Sequence, residues 1–358
     1  MTSADPLLLP VGSRLVHIGP HKTGSTAIQS ALHDVRDRLA EYDVHYAGSR
    51  RRPRRAGWAL GLGGRPAGSE QPPAHLWTQL VREVRESTAD RVCISNEDFG
   101  RAKRPQVAQI VADFGPQVHV VAVTRRLDRY LPSQWQERVK AGETRPYDEW
   151  LRDVLADDPE WSWDRHNVWF SHDLGRLVPR WVEAVGADAF TLIVTDEADR
   201  TQLPRTFERL LGLPEGLLQP VPDRSNRSLS WAETELFRAV NAVAARRDWS
   251  PAQRRRYARH PILEGLAEAG RAPGPSGPPL PGWAVDRVRE LGLKRAEQAR
   301  SLGVRVVGDP ASLLLPEPPP VGEPRDAAPP LPSETVAELL VRVASAALEG
   351  EGGEETPG

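Results

Sequence analysis

The residues best equipped for chemistry lie together near the N-terminus, in Gly19-Pro20-His21-Lys22-Thr23-Gly24-Ser25-Thr26, directly after the apolar run Leu15-Val16-His17-Ile18. Two glycines stand at the spacing of a phosphate-cradling turn, G-x-x-x-x-G-K-[ST], but Ser25 occupies the lysine position and the only lysine of the stretch is Lys22. Successive backbone N–H groups leading into a helix N-terminus bind an anion without that lysine, so a phosphate or sulfate ligand is expected. The case for ATP with magnesium is lost. Two further short stretches qualify because each follows an apolar run. Ser95-Asn96-Glu97-Asp98 puts two adjacent carboxylates after Arg91–Ser95, and Thr124-Arg125-Arg126 puts two guanidinium groups after Val118–Val123, with Ser133 eight residues beyond Arg125.

Stepping from these groups to what positions them, residues 14–18 suit a short strand, and Ile28, Leu32, Val35 and Leu39 recur at helical spacing over Thr26–Glu41. Helical patterns over Trp77–Ser87 and Gln106–Phe114 alternate with strand patterns over Arg91–Ser95 and Val118–Val123, which predicts an α/β fold. It should be an open, P-loop-like parallel sheet flanked by helices. In such sheets ligands bind beyond the carboxyl ends of strands, where all three candidate stretches fall. From 131 to 185 the chain reads as a helical, acceptor-side region (Leu131–Lys140, Tyr147–Leu155, Leu174–Val185), followed by a strand at Phe190–Val194 and helices at Thr206–Leu211 and Ser230–Ala245. The expected organisation is one α/β domain over 14–270, a Pro/Gly linker over 271–282 and a C-terminal part of the same fold over 283–315. A Pro-rich linker over 316–332, a terminal helix over 333–349 and a disordered tail over 350–358 follow. Thr335 and Glu338 suggest a capping box at the start of that last helix. The Arg-rich segment 49–68 reads as an exposed, mobile loop, either a solvated charge run or a lid over an acceptor.

Composition bounds the rest. The 358 residues carry a net charge of −2, which excludes a globally basic nucleic-acid-coating protein. A single cysteine, Cys93, excludes an internal disulfide and reads as a small buried strand residue. The N-terminus shows no secretory or membrane-inserting pattern, so a cytoplasmic protein is expected, with no membrane partner. His166 and His172 lack metal-ligand spacing and no metal is expected. Trp161, Trp163, Trp169 and Trp181 are read as packing residues rather than an acceptor pocket.

The glycine turn, the strand ending in arginine and the serine eight positions later together resemble the two cofactor signatures of sulfotransferases that use 3'-phosphoadenosine 5'-phosphosulfate. The first signature, K-x-G-[ST]-T, stands here as Lys22-Thr23-Gly24-Ser25-Thr26 and by resemblance holds the 5'-phosphosulfate. The second is matched by Arg125 and Ser133, which by resemblance bind the 3'-phosphate, with Arg126 as the alternative arginine and Arg224 and Arg227 as further candidate contacts. The segments 180–186, 223–229 and 304–310 are similar to a bacterial branch of that family, so the resemblance runs from about residue 14 to residue 312. Where that branch has a tyrosine-proline pair and a later histidine, this chain has Tyr46-Ala47 and Arg55-Ala56-Gly57-Trp58.

The resemblance implies in-line transfer of a sulfuryl group, without a metal, to a hydroxyl of a small metabolite or carbohydrate. In it Lys22 neutralises the departing bisphosphate. The acceptor must lose a proton as it attacks, and Glu97 is the first candidate for that base and His21 the second. Two other readings stay open on the residues alone: a nucleotide or small-molecule kinase in which Asp98 or Glu97 holds magnesium, and a catalytically inactive protein that binds adenosine bisphosphate.

Overall fold

The structure is a computed structural model that describes residues 5–63, 65, 69–158, 160–219, 229–268, 275–322 and 330–351. The chain divides into two compact units: one of residues 1–127, 158–221 and 287–316, the other of residues 128–157, 222–286 and 317–358.

The first unit is built on a six-stranded sheet in the order β2-β3-β1-β4-β5-β6, comprising β1 (Ser13–Gly19), β2 (Val44–Tyr46), β3 (Arg91–Ser95), β4 (Val118–Thr124), β5 (Phe190–Val194) and β6 (Arg305–Val307). Every pairing is parallel. The expected open parallel α/β sheet is therefore present. The central strands are buried along nearly their whole length, which explains their unbroken apolar character: helices cover both faces, so neither face can be polar. Alternate residues feed two cores. Val16, Ile18, Val92, Ile94, Val120 and Ala122 pack on one face with Leu80, Ile110 and Trp181, whereas Leu15, Cys93, Val121 and Val123 pack on the other with Ile28, Leu32 and Phe207. Each such side chain contributes about 1.5–3 kcal/mol on burial.

This order creates a topological switch. The chain leaves β1 toward β2 on one side and leaves β4 toward β5 on the other, so the loops after β1 and β4 part and open a crevice at the carboxyl ends of two adjacent strands.

The helix after β1 is shorter than its apolar periodicity suggests. It spans Ser25–Asp34, and a separate short turn of helix covers Arg36–Leu39 beyond Val35, whose backbone departs from helical geometry. Arg36 is drawn across to the carbonyls of Tyr46, Gly48 and Arg50. Over residues 49–63 the Arg-rich segment is not the free loop its composition suggests, while 64 and 66–68 lie outside the described residues. Arg54–Ala59 forms a helix with Ala56 and Gly57 buried, and Tyr46 Oη donates to the Arg51 carbonyl. The physical reason is that its arginines have buried carboxylates to reach, as the site below makes plain. Helix Trp163–His172, with Ser162 capping Arg165 N, and the short edge strands β2 and β6 were not evident in the sequence.

The second unit is helical. It takes most of Leu127–Lys140, together with Tyr147–Leu155, Trp231–Arg246, His260–Glu268 and Ser333–Glu351, and Trp135, Tyr147 and Trp150 are among its buried side chains. Ser230 and Glu233 form a reciprocal capping box at the start of Trp231–Arg246. The box expected at Thr335 and Glu338 is not the helix start, because the helix already runs from Ser333. Leu280 and Val321, from the two Pro-rich segments, form an isolated parallel bridge. Among the described residues no helix is long and apolar enough to cross a membrane.

Candidate functional site

The loop after β1 is shaped by its backbone. Gly19, Lys22 and Gly24 all adopt positive φ, of 76°, 67° and 102°. A Cβ on Gly19 would come within 2.6 Å of Glu97 Cβ and 3.0 Å of its Cα, so that position needs glycine for space as well as conformation, whereas at Gly24 a Cβ would meet only the movable Leu203 Cδ2 and the positive φ is what asks for glycine. The turn is pinned from inside: Thr23 Oγ1 donates to the Pro20 carbonyl at 2.8 Å and Ser25 Oγ to the same oxygen at 3.4 Å. Two hydroxyls that the sequence suggested as ligand donors thus serve the loop itself, while Thr26 is exposed. Gly24 caps the helix Ser25–Asp34 with no side-chain hydrogen bond, and no acidic residue stands in its first turn. The first N–H groups and the positive end of the helix dipole are thus left uncompensated by the protein.

Across the crevice, Arg125 leaves the end of β4 and reaches the Lys22 carbonyl with Nη1 at 3.5 Å. Its guanidinium fork is held by Glu197, beyond β5, at 2.5 Å (Nε to Oε1) and 2.8 Å (Nη2 to Oε2). Arg295, buried, donates to Thr124 Oγ1 at 2.6 Å and to the Arg125 carbonyl at 2.8 Å, which sets the direction in which Arg125 leaves the strand. Lys22 and Arg125 are thus brought to neighbouring strand ends, as expected. Ser133 falls in the other unit, half-buried within Leu127–Lys140. Arg126 is also half-buried, and Arg224 and Arg227 lie outside the described residues.

The third strand end carries the paired carboxylates. After β3, Asn96 accepts from Asp98 N at 3.1 Å and starts a tight turn over Glu97–Arg101. Glu97 is 4% exposed. It is ion-paired to Arg52 through Oε1 and accepts from Gln29 Nε2 at 2.8 Å through Oε2. Asp98 is 1% exposed. Its Oδ1 lies 2.9 Å from His21 Nε2 and 3.7 Å from Arg101 Nη1, and its Oδ2 accepts from the Trp58 indole at 3.2 Å. Burial raises the Asp98 pKa, but the hydrogen bond from His21 and the charges of Arg101 and Arg54 outweigh it and hold the carboxyl below its ordinary value. Desolvation, with help from Arg101 and against the pull of Asp98, pushes His21 down to about 4, so the ring is neutral at pH 7.

Several of these partners had no motif to announce them. Arg52 and Trp58 come from segment 49–68, and Arg101, Glu197 and Arg295 from three others. The one available signal was that two adjacent carboxylates at a buried strand end require counter-charges, which the Arg50–Arg55 run and Arg101 supply. Of the four tryptophans read as packing, Trp181 is buried, whereas Trp161 is 72% exposed and Trp163 is 48% exposed. Cys93 is buried in β3, where desolvation raises its pKa. Among the described residues, no three His, Cys, Asp or Glu side chains are grouped to hold a metal ion.

Fold and site together define a parallel α/β protein with a glycine turn between its first strand and first helix and cationic side chains at the switch point. No family model matches the chain, and no curated protein matches it. Among solved structures it is similar to that of a sulfotransferase from Alicyclobacillus acidocaldarius, with 16% identity and a TM-score of 0.36, over 64% of this chain and 93% of that one.

Proposed function

We propose that the protein is a sulfotransferase that moves a sulfuryl group from 3'-phosphoadenosine 5'-phosphosulfate to a hydroxyl of a small metabolite or carbohydrate. The observation that carries this reading is that, at the β1/β4 switch point, a helix N-terminus without a side-chain cap follows a glycine turn with no lysine at the NTPase position, and the guanidinium of Arg125 reaches the backbone of that turn at Lys22. The donor set is N–H and cationic, which suits a sulfuryl or phosphate group, and the fork of Arg125 already takes a carboxylate. When bound, the donor supplies an activated sulfur and a bisphosphate leaving group.

The chain's own residues do the rest. Backbone N–H groups of Gly24 to Thr26 and the ammonium of Lys22 bind the 5' end, and Lys22 offsets the charge that gathers there during transfer. Arg125 exchanges the Glu197 carboxylate for the 3'-phosphate. Glu97 and His21 are the groups able to take the acceptor's proton. We assign residues 14–270 and 283–315 to the catalytic fold and residues 131–185 to the acceptor side.

Thermal stabilisation by adenosine 3',5'-bisphosphate, compared with ATP plus magnesium, tests the reading, because a ligand that binds only the folded state raises its melting temperature. A rise with the bisphosphate that is lost in Lys22→Ala and in Arg125→Ala is expected. No rise, or a larger one with magnesium-ATP, refutes the proposal.

A further inference from the structure

We infer that Asp98 is a positioning residue that holds His21 with its proton on Nε2. The bare Nδ1 is then the atom that takes the acceptor's proton, an inference that rests on the transfer proposed above. An ionised carboxylate only accepts, and Asp98 is kept ionised, against its burial, by the indole N–H of Trp58 on Oδ2 and by Arg101 near Oδ1. Its Oδ1, 2.9 Å from His21 Nε2, therefore requires that nitrogen to carry the hydrogen. A neutral imidazole has one hydrogen, so Nδ1 is left with its lone pair.

The His21 side chain is 24% exposed, against 5% for Glu97. Nδ1 stands 3.7 Å from Glu97 Oε1, beyond hydrogen-bond reach. Glu97 is engaged on both oxygens, by Arg52 and by Gln29, and a carboxylate so bound is a poor base. Its position gives it another part: once Nδ1 is protonated, the imidazolium lies between the carboxylates of Glu97 and Asp98. The charged and titratable groups around His21 are Asp98, Glu97 and Arg101 from the turn after β3 and Arg52 from segment 49–68. His172, at the end of its helix, hydrogen-bonds the His21 backbone, and Lys22 is next in the chain. In the reaction the acceptor's O–H proton passes to Nδ1 as its oxygen forms the new O–S bond. The old S–O bond breaks with its electron pair leaving on the bisphosphate, and Nδ1 then returns the proton to water.

Long-range proton–nitrogen NMR of the full-length, nitrogen-15-labelled protein reads the tautomer directly, with the His21 signals identified by their loss in His21→Gln. The expected spectrum at pH 7 shows a protonated Nε2 and a bare Nδ1. Asp98→Asn, whose amide can donate to Nε2, should convert part or all of the population to the opposite tautomer. A protonated Nδ1 in the parent protein, or an unchanged tautomer in Asp98→Asn, overturns the positioning role. Turnover of 3'-phosphoadenosine 5'-phosphosulfate, with water as the acceptor, tests the proton transfer. Asp98→Asn and His21→Ala should each fall about a hundredfold with unchanged bisphosphate binding, and imidazole should restore part of the His21→Ala loss. Full turnover in both variants, or none restored by imidazole alongside a complete loss in Glu97→Gln, overturns the base assignment. Failure of the parent protein to bind the bisphosphate would instead sink the functional reading and leave the tautomer result standing.

Discussion

Removing the positive charge that Arg52 places on Glu97 should be among the costliest single changes at the surface of the first unit. Glu97 is 4% exposed, and besides its ion pair with Arg52 it accepts a hydrogen bond from Gln29 at 2.8 Å. Breaking a fully buried pair from one side costs about 3–5 kcal/mol, because the remaining charge is stranded away from water. Arg52 is 23% exposed at its side chain, so some water reaches the gap and the expected cost of Arg52→Met falls below that range, at about 2–3 kcal/mol. Glu97→Gln removes the charge instead of stranding it and should cost less, about 1 kcal/mol, and in the Arg52→Met background it should be neutral or restoring. Urea unfolding of the four proteins of this cycle measures the coupling, and with a slope of about 2 kcal/mol per molar the Arg52→Met midpoint should fall by about 1 M. A shift below about 0.25 M in Arg52→Met, or an equal loss in Glu97→Gln, would refute the claim that a stranded carboxylate is the source of the cost.

Three further outcomes follow from the same geometry. Glu197→Gln removes the carboxylate that occupies the fork of Arg125, a pair about a quarter exposed on each side, and should tighten adenosine 3',5'-bisphosphate binding by about threefold to tenfold in calorimetry; weaker binding would show that Glu197 organises the fork rather than competes for it. Gly19→Ala meets both a φ of 76° and Glu97 Cβ at 2.6 Å, so it should destabilise by about 2 kcal/mol more than Gly186→Ala, where φ is 82° and nothing lies within 4 Å; equal losses in urea unfolding would mean that the close approach is relieved at no cost. His17, fully buried in β1, is pushed by desolvation from 6.5 down to about 3. The unfolded chain therefore binds the proton first, and stability falls as pH drops from 6.5 toward 3, by about 3 kcal/mol at pH 4; His17→Leu should flatten that slope, and an unchanged urea midpoint profile between pH 7 and pH 4 would contradict it.

How much could be read ahead of the structure depends on the range of the forces involved. β3 and β5, with helices Tyr147–Leu155 and Leu174–Val185, fall where the apolar patterns put them, since burial on both faces or on one stripe leaves a local periodicity. Three-residue β2 and β6 leave too short a pattern, and their place at the edges follows from pairing with β3 and β5. The Arg-rich segment was misread for a different reason. Composition reports charge but not whether a partner is within reach, and Arg52, Arg54 and Trp58 take their order from Glu97 and Asp98, some forty residues on.

By itself the sequence determined the succession of strand, glycine turn and helix near the N-terminus, though not where that helix ends, together with the parallel character of the sheet and the cationic and acidic residues that follow its strands, because backbone conformation and two-sided burial are local demands on residue type. Tertiary structure alone decided the partnerships. It turned Thr23 and Ser25 inward, gave Glu197 the fork of Arg125, set Arg52 against Glu97 and paired His21 with Asp98. Ion pairs and tautomers are decided by distances of a few ångströms between segments remote in the chain, which no spacing along it records.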